Sequence, residues 1–103
     1  MQANSTFGEY IRKKRQEREQ PLRVVAAAVE IDSTLLSKLE RGERFPTEEQ
    51  ITKFAKVFKL SEQELKGRVI ADKVIAEYDD QGATLHAAQI LQERAAPYRT
   101  HSR

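Results

Sequence analysis

The sequence predicts an all-α protein, and three observations support this fold class. Apolar residues recur at helical spacing through almost the whole chain of 103 residues. Thr6, Thr47 and Ser61 each stand three residues before a Glu or Gln, which is the spacing of the capping box that starts a helix. The chain has no alternating β-branched run and no Asn-Gly turn that would predict a strand or a hairpin.

The composition narrows the class of protein further. A chain of this length has room for one core, so a two-domain enzyme with a deep cleft is not expected. Because the chain has no cysteine, thiol catalysis and zinc–thiolate sites are excluded. No segment has the roughly 18 apolar residues of a membrane span. The N-terminus lacks a signal-peptide pattern, so we expect a cytoplasmic protein.

The first two helices follow from local signals. Apolar residues at helical spacing behind Thr6 predict a helix over 7–19. Pro21 suits the first turn of the next helix, because its missing N–H would have no intrahelical partner there. Valine and alanine residues then predict a short apolar helix over 22–29.

The third and fourth helices are bounded by capping residues. Asp32 or Ser33 can cap the start of a third helix that carries three leucines. Gly42 can end this helix in the left-handed conformation that glycine adopts at low cost. Thr47 then begins a fourth helix with an apolar face. We expect four of the aromatic residues to lie in the core: Phe7, Tyr10, Phe54 and Phe58.

The last third of the chain predicts a helical extension. From Leu65 an apolar stripe continues past the compact part of the pattern, and residues 79–82 indicate a turn before a further helix over 84–96. Pro97 is expected to end that helix. We therefore predict a domain over 1–66, an extension over 67–97 and a flexible tail over 98–103. Six apolar residues exceed what the first domain needs for its own core: Ile70, Val74, Ile75, Tyr78, Leu85 and Leu91.

The net charge of +2 conceals an uneven distribution. Residues 1–60 contain 12 basic and 9 acidic side chains, whereas residues 61–103 contain 6 and 7. The basic residues crowd the first helix and the third helix with its exit: Arg12, Lys13, Lys14, Arg15, Arg18, Lys38, Arg41 and Arg44. Charge alone fits an ordinary solvated face as well as it fits a nucleic-acid partner.

The arrangement of the second and third helices favours the nucleic-acid partner. Two short helices joined by a three-residue turn over 30–32 are typical of a helix-turn-helix motif. The angle between these helices would be fixed by apolar side chains packed between them: Val25, Ala26, Ile31, Leu36 and Leu39. Four polar residues share the outward face and suit base edges in a major groove: Ser33, Thr34, Ser37 and Lys38.

The stretch VAAAVEIDSTLLSKLERGERFP, residues 25–46, resembles the Cro/C1-type helix-turn-helix proteins of the XRE family. The resemblance extends over about 7–67. It implies a five-helix, lambda-repressor-like DNA-binding domain. It also implies a transcriptional repressor that binds double-stranded DNA at specific sequences. It also implies that the recognition helix spans about 33–41 and lies in the major groove.

The resemblance assigns roles to individual residues. It implies that Ser33, Thr34 and Lys38 read bases with Ser37 close by, and that Arg15 pairs with Glu40 as a clamp. We expect phosphate contacts from Arg15, Arg23, Arg41 and Arg44. The sequence departs from the family pattern at Leu22, where glutamine is common, and at Glu30, where glycine is usual. Glu30 must then adopt a left-handed conformation, at a cost of about 1 kcal/mol.

Several alternatives remain open from the sequence. The six apolar residues of the extension could form a homodimer that binds an inverted repeat, or they could fold back on their own domain. A second class of function is an antitoxin or another protein-interaction module, whose C-terminal segment binds a partner protein such as a toxin. We expect no cofactor and no metal, because His86 and His101 have no third ligand at metal spacing. No catalytic constellation is present, so we do not expect an enzyme.

Overall fold

The computed structural model describes residues 5–78 and 80–101, and the side chains among them up to residue 95. This part of the chain contains six α-helices and no strand, so the all-α prediction is confirmed. The helices are α1 (Phe7–Glu17), α2 (Leu22–Ala28), α3 (Ser33–Glu40), α4 (Glu48–Phe58), α5 (Glu62–Glu77) and α6 (Gln81–His101).

The predicted capping residues start the helices. Thr6 and Thr47 form complete capping boxes with Glu9 and Gln50 at the starts of α1 and α4. The Asp32 carboxylate accepts a hydrogen bond from the Leu35 N–H at 2.7 Å and thereby caps α3. Ahead of α5, the hydroxyl of Ser61 accepts the Glu64 N–H at 3.1 Å. Pro21 lies immediately before α2, as its N-cap, rather than inside its first turn.

Four helices end in the same way, with one residue in the left-handed conformation. These residues are Glu19 (φ 53°), Glu30 (φ 64°), Gly42 (φ 78°) and Lys59 (φ 56°). In each case the next N–H bonds back to a carbonyl of the last helical turn, as Glu43 does to Lys38 at 2.9 Å and Ile31 does to Ala26 at 2.9 Å. The left-handed predictions for Glu30 and Gly42 are confirmed, and the reversal at Glu19 ends α1 at Glu17, before the predicted residue 19.

The core is formed by α1 to α4 together with the first part of α5. Phe54 lies at its centre, with the Phe7 ring edge-on at 5.5 Å and the Phe58 ring stacked at 6.5 Å between centroids. Tyr10 packs against the core and is half-buried. The residues predicted to seal the helix-turn-helix angle are buried, apart from the half-buried Ile31: Val25, Ala26, Leu36 and Leu39.

Packing continues along α5 beyond residue 66. Val69 is 3% exposed, and Asp72 accepts a hydrogen bond from the Phe7 N–H at 2.9 Å. Arg68 donates to the Ser5 carbonyl at 2.8 Å, and its guanidinium carbon lies 3.9 Å from the centre of the Tyr10 ring. These contacts join α5 to the start of α1, and the first compact unit accordingly ends at Lys73.

The second compact unit begins at Val74 and contains the end of α5 and all of α6. α6 begins at Gln81, earlier than the predicted residue 84, because the Asp80 carboxylate accepts the Ala83 N–H at 3.1 Å. The predicted turn over 79–82 is therefore shorter, and Asp79 lies outside the described residues. The prediction that Pro97 ends the helix is wrong, since α6 runs to His101.

The second unit exposes apolar surface. Ile75, Tyr78, Leu85 and Leu91 are each more than 60% exposed, whereas Val74 is half-buried. An open groove of about 560 Å³ is lined by Val74, Tyr78, Ile90 and Leu91, with Asp80 and Arg94 among its polar residues. None of the described helices has the length and apolar character needed to cross a membrane.

Candidate nucleic-acid interface

α2 and α3 form a helix-turn-helix whose turn is held from outside. Glu30, the left-handed residue of the turn, forms an ion pair with Lys53 on α4. Lys53 also lies 3.4 Å from the Glu49 carboxylate. The hydrogen bond from Lys53 and its charge favour the ionised carboxylate of Glu30 and keep the pKa of Glu30 below its usual value. The turn residue is therefore held by an ion pair to α4, although it is a glutamate where the family pattern has glycine.

α3 has two distinct faces. Leu36 and Leu39 are fully buried against α1 and α2, which fixes the orientation of the helix. On the accessible face Thr34 is exposed, and Ser33, Ser37 and Lys38 are half-exposed. α3 ends at Glu40, with Arg41 as its C-cap, so the predicted span of about 33–41 agrees with the structure. The four predicted base-reading residues are accessible together, and their contact with bases stays a prediction.

An ion pair between α1 and α3 holds the end of the predicted recognition helix. Arg15 donates from Nε to Glu40 Oε2 at 2.7 Å and from Nη2 to Glu40 Oε1 at 3.0 Å. Its third nitrogen, Nη1, donates to the Gln20 carbonyl at 3.0 Å. The hydrogen bonds to Glu40 raise the pKa of Arg15 above its usual value. The predicted pair is therefore present in the structure.

The same ion pair limits what else Arg15 can contact. The Arg15 side chain is 13% exposed and the Glu40 side chain 6%. All three guanidinium nitrogens already donate within the domain. The contact of Arg15 with Glu40 is observed, whereas its phosphate contact stays a prediction.

Gly8 permits a second contact between α1 and α3, which the sequence did not predict. A Cβ atom at this position would lie 2.3 Å from the Leu39 carbonyl oxygen and 2.6 Å from the Glu40 carbonyl oxygen. Only a residue without a side chain allows this approach. The start of α1 therefore lies directly against the last turn of α3. Sequence spacing carries no signal for this contact, since Gly8 is an ordinary helix residue in the pattern.

The basic residues of α1 have mostly structural partners. Arg18 donates to the Val57 and Phe58 carbonyls at 3.0 Å each, which satisfies the C-terminus of α4. Lys13 and Lys14 each lie 3.7 Å from a carboxylate oxygen of Glu17. Among the residues that the structure describes, the basic residues crowded on α1 therefore have partners within the domain, except for Arg12.

The helix-turn-helix itself carries cations of two kinds. Arg23, Lys38 and Arg44 form no ion pair within the part of the chain that the structure describes, and Arg23 and Arg44 are exposed. Arg41, by contrast, pairs with Glu43 at 2.8 Å. The predicted phosphate-contacting set is thus accessible at Arg23, Arg41 and Arg44.

The described residues offer no candidate metal site. No group of three or more His, Asp or Glu side chains that could hold a metal ion occurs among the residues described. His86 is exposed on α6, and the side chain of His101 lies outside the described part.

Comparison with known proteins identifies the class of domain. A family model described as a helix-turn-helix domain matches residues 6–66, which is more than half of the chain. The matched range covers α1 to α4 and the start of α5, including both helices of the motif. The chain belongs to the helix-turn-helix domain family, whose members bind DNA. Searches of curated proteins and of solved structures gave no match.

Proposed function

We propose that this protein is a sequence-specific transcriptional repressor of the Cro/C1-type, XRE family, acting in the cytoplasm without enzymatic activity. It binds double-stranded DNA with α3 in the major groove. The observation that carries this proposal is the accessible polar face of α3. There Ser33, Thr34, Ser37 and Lys38 lie on a helix that leucines, Glu40 and Gly8 hold in a fixed orientation.

Each part of the interface has a separate role in this proposal. The four polar residues of α3 contact base edges in the groove. Arg23, Arg41 and Arg44 contact phosphates. Arg15 adds a phosphate contact only with the N–H groups that Glu40 and the Gln20 carbonyl leave free. Base contacts provide specificity, whereas phosphate contacts provide affinity and position the domain.

The protein acts as a homodimer on an inverted repeat. One short recognition helix reads few base pairs, and a dimer places two such helices about 34 Å apart in successive major grooves. The exposed apolar residues Ile70, Ile75, Tyr78, Leu85 and Leu91, with the half-buried Val74, support a dimer surface on the C-terminal extension. Soluble monomers rarely expose contiguous apolar patches larger than a few hundred Å².

The same exposed residues favour a second candidate function. In an antitoxin, the segment over 67–97 would bind a toxin protein, and the helix-turn-helix would still bind DNA. A toxin-binding segment would be open to protease in the purified protein, whereas a dimerisation surface would be protected. Limited proteolysis of residues 67–97 in the purified protein distinguishes the two.

Selection of bound duplexes from a random pool tests the proposed function. We expect enrichment of an inverted repeat whose half-site centres are about 10 base pairs apart, one helical turn. Enrichment of no sequence, with equal retention of all duplexes, would contradict sequence-specific binding. Enrichment of a single unrepeated half-site would contradict the dimer and leave the DNA-binding role intact.

A further inference from the structure

Arg41, at the end of the recognition helix, is engaged by two neighbours. Its guanidinium forms two hydrogen bonds with the Glu43 carboxylate, at 2.8 Å from Nε and 3.2 Å from Nη2. Its remaining nitrogen, Nη1, donates to the hydroxyl of Ser37 one helical turn earlier. All three nitrogens of Arg41 are thus occupied, and its guanidinium lies against the face that carries the proposed base-reading residues.

The backbone holds Glu43 in position for this contact. Gly42 reverses the chain with φ 78°, and the Glu43 N–H then bonds the Lys38 carbonyl at 2.9 Å. Hydrogen bonds from Arg41 and the charge of Lys38 hold the pKa of Glu43 below its usual value. Glu43 is therefore an ionised group placed beside two cations of the proposed interface.

Arg41 differs in this respect from the other cations of the helix-turn-helix. Arg23, Lys38 and Arg44 form no ion pair in the described part of the chain, so their charge is available to a phosphate. The Arg41 and Glu43 side chains are 54% and 52% exposed. An ion pair so exposed can open at low cost when a better partner is offered.

We infer that Glu43 is a specificity-determining residue, which holds Arg41 away from the phosphates of non-cognate DNA and releases it on the cognate site. This inference rests on the proposed DNA-binding function. In a loosely bound, non-cognate complex, the phosphate backbone competes with a carboxylate that is always present at short range. In the cognate complex, α3 lies fully in the groove, and a phosphate of the DNA lies at a fixed position beside Arg41.

The physical effect follows from the way cations contribute to DNA binding. Non-specific affinity depends almost entirely on the number of phosphates that the protein neutralises, and each one adds about 0.9 to the dependence of log K on log salt. Pairing Arg41 with Glu43 removes about one such contact from the non-cognate complex. Glu43 therefore lowers non-specific affinity and increases the ratio of cognate to non-cognate binding.

The variant Glu43→Gln tests this inference, because glutamine keeps the size of the side chain and removes its charge. The probes are a mixed-sequence duplex and the duplex that wild-type protein enriches from a random pool, each titrated over a range of salt. For Glu43→Gln we expect affinity for the mixed-sequence duplex to rise about two- to fivefold, which is the range that an exposed ion pair supports. The salt slope on that duplex should steepen by about one unit, with a smaller change on the enriched duplex.

Two further proteins separate masking of Arg41 from simple repulsion of DNA by Glu43. Glu64→Gln removes the same charge from an Arg–Glu pair on α5, at 3.1 Å from Arg68, and should leave the salt slope unchanged. In an Arg41→Ala background, Glu43→Gln should have little effect, because there is no longer an arginine to release. An equal gain in both backgrounds, an equal gain on both duplexes, or no gain at all would overturn the inference. Failure of the wild-type protein to bind any duplex would instead contradict the proposed function itself.

Discussion

The Arg15 guanidinium on α1 forms two hydrogen bonds with the carboxylate of Glu40, the last residue of α3, at 2.7 and 3.0 Å. Both side chains are largely screened from water, at 13% and 6% exposure. The pair therefore fixes where α3 ends relative to α1. In the proposed complex, this position decides where the polar face of α3 can enter a DNA groove.

Loss of one partner of this ion pair should destabilise the fold. For Glu40→Gln we expect unfolding free energy to fall by about 1.5–3 kcal/mol, because Arg15 keeps its charge and loses its charged acceptor. Urea denaturation measures this as a lower midpoint at unchanged slope. Glu17→Gln on the surface of α1 removes the same charge and should change stability by less than about 1 kcal/mol. Equal effects of the two variants would show that the buried pair contributes no more to the free energy of unfolding than an exposed pair does.

Gly8→Ala should also destabilise the protein, for a steric reason. The added methyl group would lie 2.3 Å from a backbone oxygen of α3, so α1 and α3 must separate. Overpacking of this kind costs about 1–3 kcal/mol. Gly67→Ala is the matched control, because a Cβ there meets nothing within 4 Å and alanine should stabilise α5 by about 0.5–1 kcal/mol. A stabilising Gly8→Ala would contradict the close approach of the two helices.

Asp72 should give the stability an unusual dependence on pH. Burial of its carboxyl raises its pKa above the usual 3.8, the nearby Glu9 also raises it, and the Phe7 N–H and Arg68 lower it. The folded protein thus binds this proton more tightly than the unfolded chain, so the contribution of Asp72 to stability falls as pH rises from 3.8 through the folded pKa.

The variant Asp72→Asn makes this dependence measurable, since its amide oxygen can still accept the Phe7 N–H and no longer titrates. The unfolding free energy of the variant minus that of wild type should increase with pH across this window and become constant above it. Urea denaturation at a series of acidic pH values gives this difference directly. A difference that decreases with rising pH would reverse the assigned direction of the pKa shift.

A charge placed on the exposed face of α6 should disrupt the proposed dimer. Leu85 is 72% exposed, and a glutamate there would have to be buried without a partner in the interface. For Leu85→Glu we expect the dimer dissociation constant to rise at least about tenfold in sedimentation equilibrium. Val24→Glu, at an exposed apolar residue of the first unit, should leave it unchanged. A wild-type protein that sediments as a monomer would contradict the dimer.

The features that the sequence predicts well are those determined within a few residues. Thr6, Thr47 and Asp32 cap helices because their partners lie three residues away, and Gly42 ends α3 through bonds within one turn. The Arg15–Glu40 pair spans 25 positions and was predicted only through a family resemblance. Local chemistry and family pattern together predicted the fold and the accessible face of α3.

The contacts that the sequence did not predict depend on how helices meet. Arg18 looks like part of a basic surface, but the structure places its guanidinium on the carbonyls at the end of α4. Val69 and Asp72 look like the start of an extension, but both pack in the first unit. No spacing rule relates such residues to their partners, because the relation exists only once the helices are packed.

The most direct test of the account is the effect of Lys38→Ala on DNA binding. Lys38 lies on the accessible face of α3 and forms no ion pair in the described structure, so its loss should affect base reading without affecting the fold. We expect affinity for the enriched duplex to fall by about 1–3 kcal/mol, with little change on a mixed-sequence duplex. Arg44→Ala should instead weaken both by similar factors and reduce the salt slope by about one unit. Equal losses on both duplexes for Lys38→Ala, or no loss on either, would contradict the assignment of the α3 face as the surface that reads DNA.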